Sequence, residues 1–108
     1  MDSRISAVVC FIGKRPAADM DTLATAVNLS PSRLRHLFRL EMATALHAYL
    51  KQQRLSRAAE LLKTTFLTVK EVSAATGFAD PDHFSREFRK AFGVPPRSYS
   101  RAARFGRK

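Results

Sequence analysis

The sequence predicts an all-α fold: two helix-turn-helix motifs in homeodomain-like subdomains, joined by a long linker helix, with about seven helices in all. Three observations predict it. Residues 19–49 and 68–99 carry one pattern twice, about fifty positions apart, and a repeat at such a period means that one supersecondary unit is used again. Each copy contains the turn chemistry that joins two short helices. Residues 44–64 between the copies contain no Gly or Pro and are rich in strong helix formers.

The first segment places Ile5, Val8, Val9 and Ile12 at i, i+3, i+4 and i+7, which is one face of an amphipathic helix. Gly13 and, three residues on, Pro16 mark its end. In the repeat, Asp19 matches Thr68, Leu23 matches Val72, Ala26 matches Ala75, Asn28 matches Gly77 and Leu29 matches Phe78. After one extra residue in the second copy, Ser30-Pro31 matches Asp80-Pro81, Leu34 matches Phe84, Phe38 matches Phe88, Arg39 matches Arg89 and Tyr49 matches Tyr99. Asp19 or Thr68 caps a short helix, and Thr68 with Glu71 has capping-box spacing. Asn28 and Gly77 are residue types that enter the left-handed region cheaply, so they end that helix in a sharp turn. Ser30-Pro31 and Asp80-Pro81 then open a second helix with an oxygen cap followed by proline at the first helical position. Leu34, Leu37 and Phe38 are its expected buried side in the first copy, and Phe84, Phe88 and Phe92 in the second.

The other side of each second helix carries the functional signal. Ser32, Arg35, His36 and Arg39 share one face, opposite Leu34 and Phe38. Asp82, Arg86 and Arg89 form the comparable stripe in the second copy, with His83 and Lys90 beside it. A solvated charged face is the ordinary explanation for one such stripe. Here both stripes lie on the second helix of a helix-turn-helix, where a major groove admits an α-helix and an Arg takes guanine O6 and N7.

The linker stretch supplies Leu46, Leu50, Leu55, Ala58, Leu61 and Leu62 as an apolar face broad enough to serve both copies. A helix over 44–64 would be about 30 Å long, comparable to the roughly 34 Å between adjacent major grooves on one side of B-DNA. Pro95-Pro96 opens a last short helix from which Tyr99 packs back on the second copy. The expected division is therefore 5–42 for the first subdomain, 44–64 for the linker helix, 65–103 for the second subdomain and 104–108 for a basic tail.

At 108 residues the chain is one domain with a modest core. Its 19 Lys and Arg against nine Asp and Glu give +10, which calls for a polyanionic partner. From Arg97 onward there are Arg97, Arg101, Arg104, Arg107 and Lys108 and no acid. Two readings of that segment stay open: a strap along phosphates, or a disordered, solubilising end. The single cysteine, Cys10, makes no internal disulfide, and among apolar neighbours a buried, inert thiol is the expectation. No apolar run has membrane-spanning length, and a reducing cytoplasm fits. His36, His47 and His83 are scattered without ligand partners, so no metal is expected. No phosphate loop, nucleophile elbow or carboxylate pair is present, so neither a cofactor nor a catalytic residue is expected, and the chain is not read as an enzyme. A helical protein-interaction module docking on the transcription machinery, through helix 1 or the linker helix, is the alternative. An RNA binder would want exposed aromatics, whereas the Phe residues here fall mostly at buried spacings.

The run from Gly77 through Phe84, Phe88, Gly93 and Pro96 to Tyr99 resembles the signature of the AraC/XylS transcription regulators. So does the run from Leu29 to Phe38, followed by Arg54, Ala58 and Leu61-Leu62. The resemblance covers the chain from about Ile5 to Tyr99. It implies a seven-helix DNA-binding domain and transcriptional control, usually activation, at asymmetric promoter sites. By position it assigns base reading to Ser32, Arg35 and His36 in the first recognition helix, and to Pro81, Asp82, His83 and Arg86 in the second. Arg33, Arg39, Arg89 and Lys90 are the expected phosphate contacts. Pro81 offers only carbon, suited to a thymine methyl. Asp82 can accept from cytosine N4 or cap its helix, and the cap is favoured. Ala43 stands where relatives have Gly, so a turn needing positive φ would cost about 1 kcal/mol or relax. Ser100 replaces the family's Arg after the final Tyr, leaving a phosphate or packing role there in doubt. Double-stranded DNA and RNA polymerase are the partners implied. An effector-binding or dimerisation domain precedes this one in most of the family. The chain is either a stand-alone regulator or the DNA-binding end of a longer protein, and the start Met1-Asp2-Ser3 directly before a helix suits the second.

Overall fold

The computed structural model describes residues 1–105. Along them run α1 (Ser3–Lys14), α2 (Met20–Ala26), α3 (Pro31–Met42), α4 (Leu46–Thr64), α5 (Val69–Ala75), α6 (Pro81–Phe92) and α7 (Arg101–Arg104), with a 3-10 turn at Pro96–Ser98 before the last. Among the described residues there is no strand, and the all-α expectation with seven helices holds. The chain divides into two compact units, Met1–Gln53 and the part from Arg54 onward, so α4 contributes its first half to one and its second half to the other.

In the first unit, Ile5, Val8 and Ile12 of α1 meet Leu23 and Ala24 of α2, Leu34 and Phe38 of α3, and Leu46 and Leu50 of α4. Each fully buried aliphatic or aromatic side chain in such a cluster contributes on the order of 1.5–3 kcal/mol. The helix ends are closed locally. Asp2 accepts from the Arg4 amide at 2.8 Å, Asp19 from Thr22 at 2.8 Å and Ser30 from Arg33 at 3.2 Å. The Arg4 guanidinium returns to the Asp2 carboxylate at 3.0 Å. That side-chain hydrogen bond, with the amide's, holds the Asp2 carboxyl below its ordinary range and Arg4 above its own. The Asp2 amide also donates to the Glu41 carboxylate, tying the start of α1 to the end of α3.

The second unit repeats the plan. The reciprocal cap predicted at α5 is present, with Thr68 N–H donating to Glu71 Oε1 at 2.8 Å and Glu71 N–H to Thr68 Oγ1 at 3.1 Å. Leu55, Ala58, Ala59 and Leu62 of α4 pack with Val72, Phe78, Phe84 and Phe88. The second half of α4 thus takes the place that α1 holds in the first unit. Leu55, Ala58 and Leu62 stand fifty positions after Ile5, Val8 and Ile12, with the same three-then-four spacing. The repeat therefore begins one helix earlier than the matched motifs suggested. α4 closes the first copy with Leu46 and opens the second with Leu55.

Two sequence expectations need adjustment, and one open alternative gains a structural observation. The long helix starts at Leu46 rather than Thr44, because Ala43 takes the left-handed conformation (φ 58°) and two residues are spent re-entering the helix. Cys10 is exposed, not buried. It lies two residues from both Val8 and Ile12, and at 100° per residue that points it away from the buried stripe. Of the segment left open between a phosphate strap and a disordered end, the part through Arg104 includes a helix: Ser100 Oγ accepts from the Ala103 amide at 3.1 Å and starts α7. Arg107 and Lys108, the rest of the expected basic tail, lie outside the described residues. No described helix is long and apolar enough to cross a membrane.

Candidate nucleic-acid interface

Each unit presents one helix after a sharp turn. In the first, the α2 carbonyls are closed by amides of the turn: Asn28 N–H reaches Thr25 O at 3.1 Å and Leu29 N–H reaches Ala24 O at 3.0 Å. Asn28 carries the left-handed residue, φ 61°. In the second, Gly77 (φ 91°) and Phe78 make the same two bonds, to Ala74 O at 3.2 Å and Ser73 O at 3.0 Å. This six-to-one closure returns the chain abruptly and leaves the next residues to start a new helix. Pro31 and Pro81 then occupy the first helical turn behind Ser30 and Asp80.

α3 turns Leu34 and Phe38 fully inward, and Ser32, Arg33, Arg35, His36 and Arg39 are all exposed. α6 does the same with Phe84 and Phe88 inward, and Asp82, His83, Arg86, Arg89 and Lys90 are exposed while Pro81 is half-buried. Helical period thus puts every candidate except Pro81 at the solvent side of its helix. None of Arg33, Arg35, Arg39, Arg86 and Arg89 is ion-paired with a carboxylate among the described residues. Five unneutralised guanidinium groups on two exposed helix faces is an arrangement that seeks anions. Arg35 leans on Ser32 through a long contact, Nη2 to Oγ at 3.5 Å, within one turn of the same face. The ring of His83 rests against Phe78, centroids 6.1 Å apart, which ties a candidate reader to the turn before its helix.

Two details differ from the sequence expectation. Asp80 caps α6 as the Asp80-Pro81 pattern predicts, accepting from the Asp82 amide at 3.0 Å, so the cap favoured for Asp82 is not made. Asp82 is the second helical residue, so it faces the positive helix end without being the hydrogen-bonding cap. Lys90 is already engaged, its ammonium 3.5 Å from Glu87. Glu87 was not singled out from the sequence. It is 9 % exposed, on the inner side of α6 between Phe84 and Phe88. The available signal was its position three residues after a buried Phe, since i and i+3 share a helix face. No group of three or more metal-binding side chains occurs among the described residues.

Two helix-turn-helix units with basic, outward-facing second helices define a DNA-binding domain. Comparison with known proteins is consistent throughout. Residues 23–102 match the model of a helix-turn-helix domain family. The arabinose operon regulatory protein of Salmonella typhimurium is 37 % identical over 102 residues, 92 % of this chain and 36 % of that protein. The transcriptional regulator GbdR of Pseudomonas aeruginosa is 40 % identical over 79 residues, 73 % of this chain and 22 % of that protein. Among solved structures, the DNA-binding domain of AdpA, a global transcriptional factor, in complex with a target DNA superposes with a TM-score of 0.78 at 30 % identity, covering 95 % of both chains. This chain belongs to the AraC-type helix-turn-helix family of transcription regulators. Sequence-specific DNA binding is the function that membership carries for this domain, and a module with DNA binding secondary is not favoured. The chain spans about a third or less of the length of these curated relatives.

Proposed function

We propose that the chain reads one asymmetric duplex site with two recognition helices in adjacent major grooves, and that the readers are the outward side chains of α3 and α6. On α3 the base contacts fall to Ser32, Arg35 and His36. On α6 they fall to Pro81, Asp82, His83 and Arg86. Arg33, Arg39 and Arg89 take phosphates, and Lys90 does so by exchanging its contact with Glu87. The observation that carries this reading is the five unpaired guanidinium groups distributed over two capped, turn-positioned helices. A bidentate Arg–guanine pair discriminates by about 1–3 kcal/mol, enough for two such contacts to dominate site choice. The two faces differ in chemistry: His36 and Ser32 flank Arg35, whereas Asp82, His83 and Pro81 flank Arg86. Unlike faces select unlike half-sites. RNA polymerase is the protein partner in this reading, and where an effector-binding or dimerisation domain accompanies the chain, as in most of the family, that domain completes the switch. Activation is the sense of control the family resemblance implies, with the protein working in the cytoplasm on the nucleoid.

The test uses the one helix shared by both units. Inserting two alanines after Gln53, at the boundary between the units, turns everything beyond it by about 200° and advances it ~3 Å. With helix content verified by circular dichroism, affinity for the preferred site should fall by several kcal/mol toward the non-specific level, while low-salt non-specific binding persists. For the parent, ~5 phosphate contacts give a slope of log K against log salt near −4 to −5. Unchanged site affinity in the insertion variant would show that the two motifs do not act on one site.

A further inference from the structure

The second unit holds a basic cleft that the DNA reading does not use. Lys63 at the end of α4, Tyr99 after the 3-10 turn, and Arg101, Arg104 and Phe105 of the α7 region line an open hollow of about 200 Å³. Its cations are held on aromatic faces. Lys63 Nζ sits 4.7 Å from the Tyr99 ring centroid. The Arg101 guanidinium sits 4.6 Å from the Phe66 centroid and 5.8 Å from that of Phe105, and Arg104 lies 5.9 Å from Phe105. Stacking of this kind fixes the direction of a guanidinium while leaving its N–H edge free to donate. Among the described residues, no carboxylate pairs with Lys63, Arg101 or Arg104. Phe66 and Phe105 are 47 % and 68 % exposed, two of the four large apolar side chains left in solvent among the described residues.

The cleft does not face the bases that α6 would read. Tyr99 packs on Phe88 and Phe92, centroids 5.3 and 5.7 Å away, on the inner side of α6. Arg86 lies two residues from Phe88, roughly 160° round the helix. A duplex on the Arg86 face therefore leaves the cleft on the far side of α6. Its hollow is smaller and more open than the ~300–1,000 Å³ pockets that enclose small ligands. What the surface offers is two Arg forks, one ammonium and two phenyl faces side by side. That set complements carboxylates alternating with apolar side chains.

We propose that this cleft docks an acidic segment of a protein partner, with Asp or Glu side chains on Lys63, Arg101 and Arg104 and an aromatic or leucine side chain against Phe66 and Phe105. Occupation is compatible with DNA binding, because the two surfaces lie on opposite sides of α6. The partner can thus be held while the chain is on DNA.

The probe is a synthetic twelve-residue peptide with Asp and Glu alternating with Phe and Leu, titrated without DNA into the isotope-labelled 108-residue chain. Amide shifts should concentrate at Lys63, Phe66 and residues 99–105. Lys63→Gln, Arg101→Gln and Arg104→Gln together should weaken the peptide at least about tenfold, the size of losing one charge-assisted contact. Replacing the peptide's Phe and Leu by Ala should weaken it too. All three cations are exposed, and a matching melting curve confirms that the triple variant folds. Two results would overturn the proposal. One is inorganic phosphate shifting the same amides as strongly as the peptide, which marks a simple anion hole. The other is a fall in the DNA salt slope by up to about 0.9 per removed cation, which assigns the cleft to DNA phosphates. Both arms are separate from the two-groove reading, since the peptide arm contains no DNA and the salt arm compares variant with parent.

Discussion

Val8 in the first unit and Ala58 in the second stand at matching places, fifty positions apart, and each is fully buried. In the same two clusters, the recognition helix of the first unit has Leu34 where that of the second has Phe84, again fifty positions apart. The two size changes run in opposite directions. Where the opening helix carries the larger side chain, the recognition helix carries the smaller one. The second core then becomes a chain of rings, with Phe78–Phe84 centroids at 5.1 Å, Phe84–Phe88 at 5.7 Å, Phe88–Phe92 at 4.5 Å and Tyr99 edge-on to Phe88 at 5.3 Å. The first unit has one such contact, Phe38 with Tyr49 at 5.4 Å. The same helix path is held by two different fillings, as close packing allows when total volume is kept. The recognition helices can therefore diverge on their outer faces while their inner faces remain matched to separate cores.

Truncating the shared anchor tests the comparison most severely. Phe38→Ala and Phe88→Ala should each cost about 3–5 kcal/mol, read from urea unfolding followed by amide signals in each unit. Phe88 touches three rings and Phe38 one, so the second unit should suffer more. Equal loss in both would remove the distinction between an aromatic and an aliphatic core.

Swapping fillings is the next largest effect. Leu34→Phe adds a ring to a cluster that already holds Val8, where the second unit has only Ala58, and should destabilise by about 1–3 kcal/mol through overpacking. Adding Val8→Ala should recover part of that loss. A double variant no better than the single one would mean that the two positions are not a compensating pair.

The C-terminal turns of the recognition helices give the smallest difference. Ala43 and Gly93 both adopt positive φ, 58° and 78°, and each amide closes back on the Arg four residues earlier. Ala43→Gly should stabilise the first unit by about 1 kcal/mol, and Gly93→Ala should cost the second a similar amount. A Cβ on Gly93 would meet nothing within 4 Å, so the penalty is backbone strain alone. Thermal melts of opposite sign are the expected outcome, and melts of the same sign would refute the assignment.

Much of this architecture is legible in the sequence. Oxygen caps, prolines and left-handed turn residues act within a few positions, so Ser30-Pro31, Asp80-Pro81, Asn28 and the Thr68–Glu71 box could be read locally. Helical period likewise placed Arg35 and Arg86 on outward faces. The equivalence of α1 with the second half of α4 was hidden, because Ile5, Val8 and Ile12 against Leu55, Ala58 and Leu62 share only apolar spacing. Cys10, Glu87 and Arg101 escape a local reading for a common reason. The exposure of Cys10, the burial of Glu87 and the seat of Arg101 on Phe66 depend on which neighbours fold against them. The site's membership was written in period, but its internal ties, Lys90 to Glu87 and His83 to Phe78, were not.

The central claim is that α3 and α6 are two unlike readers of one site. The direct measurement is selection of bound duplexes from a random library at near-physiological salt, run with the parent chain, Arg35→Ala and Arg86→Ala in parallel. The parent should enrich a long, asymmetric motif of two blocks. Each substitution should cost about 1–3 kcal/mol and relax one or two base pairs, Arg35→Ala in one block and Arg86→Ala in the other. A single short motif from the parent, or both substitutions relaxing the same block, would contradict it.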